Sequence, residues 1–320
     1  MSAFKETVLE VLATGENFEE DSYLSLNQDV AAAVSSGALE SGRQHFTLYG
    51  EKEGRRMRTP PDRILPLKRE KIGRTRQLIK PDVFCQELDG MLDCMTDDLK
   101  QSSGIVDTSA VSSNKYGSAV VDLIHRLPDG LILDCGSGRR PVYYSNVVTF
   151  DVVGYDTTDV CGVGESLPFK SDSFDAVLSI AVLEHVKQPF ECAKEICRVL
   201  RPGGTLLCLV PLLSPVHGYP GHYYNMTGQG LRALFEPMLR IDSQWVPDAG
   251  LPIAALSWIL NSWARGLEGT VKEDFLNMRV RDLMAPAQSY WNEAFVRNLD
   301  RETNFEIACV TFLRASKPAV

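Results

Sequence analysis

The chain has 320 residues, 44% hydrophobic and 23% charged, the make-up of a globular protein with room for one large or two ordinary domains. A formal net charge of −9 gives no global attraction to nucleic acid or an anionic membrane, and no run approaches the roughly 18 uncharged apolar residues of a membrane-spanning helix. No basic start followed by an apolar stretch marks a secretory leader, and the eight cysteines lack Cys-x-x-Cys spacing, so a reduced cytoplasmic protein without a metal site is expected.

Residues 1–58 read as a small helical module. Phe18, Tyr23, Leu24, Val30, Val34, Leu39, Phe46, Leu48 and Tyr49 could pack two or three short helices punctuated by Gly37, Gly42, Gly50 and Gly54. So small a unit is marginal alone and is expected to dock on the main domain or on another protein. Residues 59–111 follow as a basic linker with connecting helices. Between Lys52 and Lys80 lie 11 of the 33 basic residues, interleaved with Pro60, Pro61 and Pro66. A solvated linker and helix face is one reading; a surface for phosphate-bearing substrate or nucleic acid is the other. A helix is then predicted over residues 112–127, with Ala119, Val120, Leu123, Ile124 and Leu127 on one face.

The next stretch, Leu131-Ile132-Leu133-Asp134-Cys135-Gly136-Ser137-Gly138, is an apolar strand that ends on a carboxylate and breaks into a glycine loop. Buried parallel strands are short apolar runs, and glycine past such a strand lets main chain approach a ligand closely, as in a nucleotide-type pocket. A second run, Val147 to Phe150, closes on Asp151, near the spacing of an acid that accepts from both ribose hydroxyls, with Asp156 a rival. The short interval between the two strands, with Arg140 and Pro141 in it, leaves room for a helix of only one or two turns. A turn at Gly164-Glu165-Ser166-Leu167-Pro168-Phe169 follows, then a strand from Phe174 to Ile180 feeding Leu183-Glu184-His185-Val186. A helix is predicted from Phe190 to Leu200, stopped by Arg201-Pro202-Gly203-Gly204, and a strand from Thr205 to Val210. The dinucleotide fingerprint Gly-x-Gly-x-x-Gly is broken, because Pro141 holds its third glycine position.

This ordered array, "Asp-x-Gly-x-Gly … Leu-Pro-Phe … Phe-Asp … Leu-Glu-His-Val … Arg-Pro-Gly-Gly" over roughly residues 112–245, resembles the class I S-adenosylmethionine-dependent methyltransferases. The resemblance implies S-adenosyl-L-methionine as cofactor. Asp134, Gly136, Ser137 and Gly138 would hold its methionine part, Asp151 the ribose and Val152 the adenine face. Gly164 and Glu165 would form the adenine-edge turn, and Ser179 and Ile180 would lie near the sulfonium. Two departures stand out: Arg140 where the family often has a third glycine, and Val163 where it often has an acid facing the adenine amino group. The front module, in turn, resembles a small helical unit found beside glycosyltransferase and methyltransferase domains.

After the Thr205 strand comes His217-Gly218-Tyr219-Pro220-Gly221-His222-Tyr223-Tyr224-Asn225-Met226-Thr227, a loop expected to hang over the pocket, with Thr227 capping a helix over residues 228–235. Relatives often read "His-x-Tyr-Pro-x-Asp-Tyr-x-Arg-x-Thr" here; this chain has His222 for the acid and Asn225 for the arginine. A neutral histidine suits proton removal from an oxygen or nitrogen acceptor at pH 7, so His217, His222 and His185 are the catalytic candidates in that order, with Glu184-His185 also readable as a pin on the sheet edge. Tyr219, Tyr223, Tyr224 and Asn225 are expected to contact substrate. Helices around 250–300, with Trp258 and Trp263, would cap the acceptor pocket or form a homodimer face, and Phe305 to Leu313 reads as the final strand.

The expected fold is therefore α/β, a Rossmann-like doubly wound seven-stranded sheet in one domain over residues 112–320, with the small N-terminal helical module and a C-terminal helical insertion. The expected activity is methyl transfer to a small-molecule or carbohydrate-like acceptor. A catalytically inactive binder of S-adenosylmethionine or its product, and a nucleic-acid methyltransferase using residues 52–80, are the alternatives.

Overall fold

The computed structural model describes residues 4–59, 61–105, 112–218, 221–311 and 314, and the chain divides into two units, Met1–Leu209 and Val210–Val320. Strands in the first unit run, in chain order, β1 (Glu6–Val8), β2 (Glu10–Leu12), β3 (Arg56–Arg58), β4 (Gln86–Leu88), β5 (Met91–Asp93), β6 (Ile132–Cys135), β7 (Val142–Tyr144), β8 (Val147–Asp151), β9 (Val160–Cys161), β10 (Phe174–Ile180) and β11 (Leu200–Leu209). Its helices are α1 (Glu20–Leu26), α2 (Gln28–Ser35), α3 (Gly42–His45), α4 (Leu65–Arg76), α5 (Asp97–Ser103), α6 (Ser118–Arg126) and α7 (Pro189–Val199).

Seven of these strands form one sheet in the order β11-β10-β6-β8-β9-β5-β4. All neighbours are parallel except the β4–β5 hairpin at one edge. The central strands are apolar throughout because both faces are covered: Ile132, Leu133, Val147, Val148, Ala176, Val177 and Leu178 are buried. On one face α6 lays Val120, Leu123 and Ile124 against Ile132, Val147, Ala176 and Leu178, as its apolar spacing predicts.

Three expectations are corrected here. The sheet has seven strands, but its antiparallel edge comes from the segment taken as a basic linker, which supplies β4 and β5. No helix links β6 to β8; Val142, Tyr143 and Tyr144 form β7, which pairs antiparallel with β1, since β-branched and aromatic residues after Pro141 favour a strand where a helix would barely fit. The final strand expected from Phe305 to Leu313 is not formed over its described part: Phe305 and Glu306 end a helix, Arg301–Glu306, residues 307–311 are irregular, and 312 and 313 lie outside the described residues.

In the front module, Tyr23, Val30, Phe46 and Met57 make a core with Phe18, Leu24, Val34 and Leu39, whereas Leu48 and Tyr49 point outward, 51% and 53% exposed. Gly50 is required there: a Cβ on it would lie 2.1 Å from the Tyr23 hydroxyl, which bonds His45 Nδ1 at 3.0 Å. The β2–β3 pairing closes the module on itself, and β1–β7 pairing together with Leu9 packing against Ile64 and Tyr143 ties it to the rest of the first unit.

Part of the basic stretch turns inward: Arg58, Lys68 and Lys71 are buried, while Lys52, Arg56, Arg63, Arg69, Arg74 and Arg76 stay exposed. Lys71, on α4, is buried, with Nζ 2.8 Å from Asp159 Oδ2, 3.0 Å from Tyr144 O and 3.7 Å above the Tyr143 ring. Burial pushes its amine down to about 8, with the Asp159 charge pulling the other way. Asp159 also accepts from Tyr143 Oη and from Thr149 N and Oγ1, so its oxygens are satisfied. Lys68 donates to Asp156 O at 2.9 Å, Arg55 pairs with Asp29 and Glu53, and Arg76 pairs with Glu87.

The second unit holds α8 (Gly228–Phe235), α9 (Pro252–Arg265), α10 (Gly269–Leu276), α11 (Ala294–Arg297) and α12 (Arg301–Glu306). Thr227 caps α8 by accepting from Gly230 N at 3.0 Å, as expected. Asp300 caps α12 through Thr303 N at 2.8 Å, and Glu306 at its far end takes Ser262 Oγ at 2.7 Å and Arg265 at 2.9 Å. Those bonds hold Phe305 in a helix. Trp263, Phe275 and Phe295 stack within 5.7–6.0 Å as this unit's aromatic centre. No helix among the described residues is long and apolar enough to cross a membrane.

The Lys71–Asp159 pair yields a stability prediction. Asp159→Ala leaves a buried ammonium without its counter-charge and should lower the urea-unfolding free energy by about 3–5 kcal/mol. Arg240→Ala, which removes an exposed partner of Asp242, should leave it unchanged within error. Equal effects of the two changes would contradict the buried pair's role.

Candidate active site

The carboxyl ends of β6, β8, β9 and β10 share one sheet edge, and the cofactor candidates of the first unit gather there. Gly136 and Gly138 have φ of +79° and +62°, which side-chain-bearing residues adopt at a cost. A Cβ on Gly136 would lie 2.5 Å from Val182 Cγ2, and one on Gly138 would lie 2.8 Å from Ser112 O. The loop is bare main chain because nothing else fits. It is also tied down: Gly136 N and Ser137 N both donate to Phe150 O, at 2.8 and 3.0 Å, and Gly138 N donates to Asp151 Oδ2 at 2.7 Å.

Asp151 is buried and, among the described residues, bonded to main chain alone, its other oxygen accepting from Val153 N at 3.0 Å. Burial raises its carboxyl above the ordinary value, only partly offset by those two N–H donors. The rival Asp156 is committed elsewhere. Arg58 grips it through Nε and Nη2 at 2.5 and 2.7 Å, and Arg139 adds bonds at 3.4 Å. Burial works to raise Asp156, but the Arg58 and Arg139 contacts win and hold it low.

Asp134 is fully buried, and its Oδ2 receives the Tyr116 hydroxyl together with Arg140 Nε and Nη2 at 3.0 and 2.9 Å. Its Oδ1 is buried with no hydrogen-bond partner among the described residues. Arg140 is itself buried, donates to Asn114 O at 3.0 Å and stacks 4.1 Å from the Tyr116 ring. Burial is the largest single influence and opposes the Arg140 charge, but the Asp134 and Tyr116 contacts together hold the guanidinium above its usual value. The departure noted at position 140 thus brings a counter-ion to the first acid. Tyr116 carried no sequence signal for this, nor did Arg58, whose guanidinium also bonds Arg140 O at 3.3 Å.

Val163 and Gly164 are buried and Glu165 and Val152 half-buried around the turn after β9. The Leu167-Pro168-Phe169 stretch is clamped by α7: Glu195 accepts from Leu167 N at 2.9 Å and Arg198 donates to Phe169 O at 2.7 Å. Ser179 is buried opposite Cys208, and Ile180 ends β10. Ala181 then takes φ +56°, a left-handed conformation unusual outside glycine, and re-aims the chain into Leu183-Glu184-His185. Glu184 is fully buried, with neither carboxyl oxygen hydrogen-bonded among the described residues and His185 Nε2 3.9 Å away. Burial pushes its carboxyl up to about 7.

The remaining candidates lie in the second unit. His217 donates its N–H to His222 Nδ1 at 3.2 Å, and the rings meet edge-on at 4.5 Å, with Trp258 5.0 Å from His217. His222 therefore accepts at Nδ1 and donates from Nε2 to Asn225 Oδ1 at 2.8 Å, while Asn225 donates to Ser214 O at 2.9 Å. Burial pushes His222 below its usual value, the Asn225 bond offsetting this in part. His217 Nδ1 sits 2.8 Å from Pro215 O, which fixes its proton there and puts the basic lone pair on Nε2. Tyr223 and Tyr224 are exposed beside this cluster, and Tyr219 lies outside the described residues.

A largely parallel sheet whose adjacent central strands end on acids around a glycine loop is a doubly wound α/β arrangement, in which a ligand sits outside the carboxyl ends of the strands. Residues 133–208 match a family model described as a methyltransferase domain. An uncharacterized methyltransferase of Mycolicibacterium vanbaalenii is 33% identical over 148 residues, covering 40% of this chain and 56% of its own length. One of Mycolicibacterium paratuberculosis is 33% identical over 147 residues, with 39% and 57% covered. The chain thus spans somewhat over half the length of the curated relatives it matches. A putative methyltransferase of solved structure from Bacillus halodurans covers 54% of this chain and 88% of its own at 16% identity and a TM-score of 0.31, a likeness too slight to bear on the argument.

Glu184 gives a pH prediction. Between its ordinary 4.5 and about 7 the folded chain holds a proton that the unfolded chain has lost, so stability falls as pH rises through that window and stays lowered above it. Glu184→Gln replaces the protonated acid with a neutral isostere. It should raise the unfolding free energy by roughly 2–3 kcal/mol at pH 8 and change it little at pH 4.5. A gain that does not depend on pH would contradict the buried carboxyl's assigned titration.

Proposed function

We propose that the protein is a methyltransferase acting on an oxygen or nitrogen of a small-molecule or carbohydrate-like acceptor. The observation that carries the reading is the pair of neighbouring strand ends at Asp134 and Asp151, with the Gly136-Ser137-Gly138 loop beside them. S-adenosylmethionine, when bound, supplies the sulfonium-borne methyl group that is transferred.

The residues fit that cofactor. Asp134 Oδ1 is a buried acceptor with no donor among the described residues, suited to the ammonium of the methionine part, beside the main chain of Gly136, Ser137 and Gly138. Asp151 spends one lone pair per oxygen on Gly138 and Val153, and a carboxylate has lone pairs to spare for two ribose hydroxyls. Val152 would pack on adenine, Gly164 and Glu165 line its edge, and Ser179 and Ile180 approach the sulfonium end. With Val163 apolar and buried, one adenine hydrogen bond, worth about 1 kcal/mol net, is forgone.

Among the histidines, His217 is the proposed proton acceptor, because its tautomer puts the lone pair on Nε2. His222 has both ring nitrogens engaged in holding the cluster and is assigned to positioning, with Asn225 as its brace. Tyr223 and Tyr224 offer exposed rings on which an apolar sugar face or small aromatic acceptor can rest. Of the basic residues the nucleic-acid alternative would use, Arg58, Lys68 and Lys71 are buried in internal bonds and Arg55 and Arg76 are paired with acids, which leaves Lys52, Arg56, Arg63, Arg69 and Arg74 exposed. A cytoplasmic location is proposed from the eight free thiols.

Two variants test the assignment by titration calorimetry and turnover. Asp151→Ala should weaken S-adenosylhomocysteine binding at least tenfold, about 1.4 kcal/mol, with the fold retained; unchanged affinity removes Asp151 from the ribose site. His217→Ala should bind that ligand as the wild type does and lose turnover roughly a hundredfold or more. A wild-type protein that binds the ligand but methylates nothing in a broad acceptor screen would favour the inactive-binder alternative.

A further inference from the structure

The hairpin β4–β5 turns through Asp89 and Gly90, with φ of +49° and +74°, the left-handed pair that a two-residue turn between right-twisted strands requires. Outward from the turn the partners are Leu88 with Met91, Glu87 with Leu92 and Gln86 with Asp93. One step further sets Cys85 against Cys94. Leu92 and Cys94 send their N–H groups away from β4, to Asp159 O at 2.8 Å and Cys161 O at 2.9 Å. By the alternation of an antiparallel ladder, Cys85 and Cys94 are therefore a non-hydrogen-bonded pair. Such pairs have the shorter Cα separation, about 4.5 Å, inside the span a disulfide bridges. The two Sγ atoms stand 2.8 Å apart as free thiols, Cys85 half-buried and Cys94 buried.

We propose that Cys85 and Cys94 are a reversible dithiol–disulfide site, oxidised by a small-molecule disulfide and stapling the outer edge of the sheet. The Cys85 thiolate attacks one sulfur of that disulfide, forming a mixed disulfide and releasing one thiol. Cys94 then gives up its proton and displaces the second thiol from Cys85. Two protein S–H bonds and one small-molecule S–S bond are lost; one protein S–S bond and two small-molecule S–H bonds are gained, with two electrons passing to the oxidant. Cys85 attacks first because solvent reaches it, whereas burial raises the Cys94 thiol and makes it the resolving partner. The staple matters beyond the hairpin, since β5 pairs with β9 through Leu92–Val160 and Asp93–Cys161, and β9 feeds the Val163–Gly164 turn.

The test incubates the full chain with oxidised glutathione, alkylates without reduction and maps the peptides by mass spectrometry. The expected result is a peptide pair joined through Cys85 and Cys94, with Cys135 and Cys192 still alkylated. The thermal midpoint should rise by about 5 °C and return on adding dithiothreitol. Cys94→Ser should stop at a mixed disulfide on Cys85, and Cys85→Ser should give no cross-link and no thermal shift. Wild-type protein that ends as a Cys85 mixed disulfide, keeps both thiols alkylatable or links Cys94 to another cysteine overturns the proposal. A cross-link without thermal shift overturns the stapling.

Discussion

The parallel register of β6 and β8 sets the rest of this structure. It places Phe150 O where it receives both Gly136 N and Ser137 N, and Asp151 where it receives Gly138 N. A loop held by three such bonds cannot carry side chains inward, as the contacts that a Cβ would make with Val182 and Ser112 show. Bare main chain and a buried acid are thereby fixed side by side before any ligand arrives, which is what preorganisation of a polar site means physically.

Four aspartates follow one another along this edge and its approaches, and their partners separate their roles. Asp134 faces Arg140 and Tyr116, Asp156 faces Arg58 and Arg139, and Asp159 faces Lys71. Among the described residues Asp151 is the one of the four bonded to main-chain donors and to no cation, with Arg140 acting on it only through its charge. A carboxylate gripped by a bidentate arginine has little left to offer a further donor; one held by two N–H groups keeps lone pairs to spare. Arg139 and Arg140 come from the loop after β6, Arg58 from the front module and Lys71 from α4. The stretch carrying Arg58 and Lys71, which on sequence alone read as solvated, therefore acts as an inner brace of the sheet.

The histidine cluster of the second unit shows the same economy of donors and acceptors. One main-chain N–H, from His217 to His222, fixes one tautomer, and one carbonyl, from Pro215, fixes the other. Two residues of the same type are thereby given different chemistry by their neighbours. Nothing in their spacing distinguishes them.

What the sequence by itself determined was whatever depends on near neighbours in the chain. The apolar runs of β6, β8 and β10, the spacing of α7, the Thr227 cap and the glycine loop are local patterns whose energies are settled within a few residues. Tertiary structure alone decided the rest. The polar segment Gln86-Glu87-Leu88 joins the sheet only because Asp89-Gly90 turns it back along β5. Lys71 is buried only because Asp159 meets it from a distant strand end. Phe305 lies in a helix only because Asp300 caps it and Ser262 and Arg265 of α9 hold Glu306. Each outcome is a pairing across long sequence separation, and such pairings leave no periodicity in the chain because only the folded geometry brings the partners together.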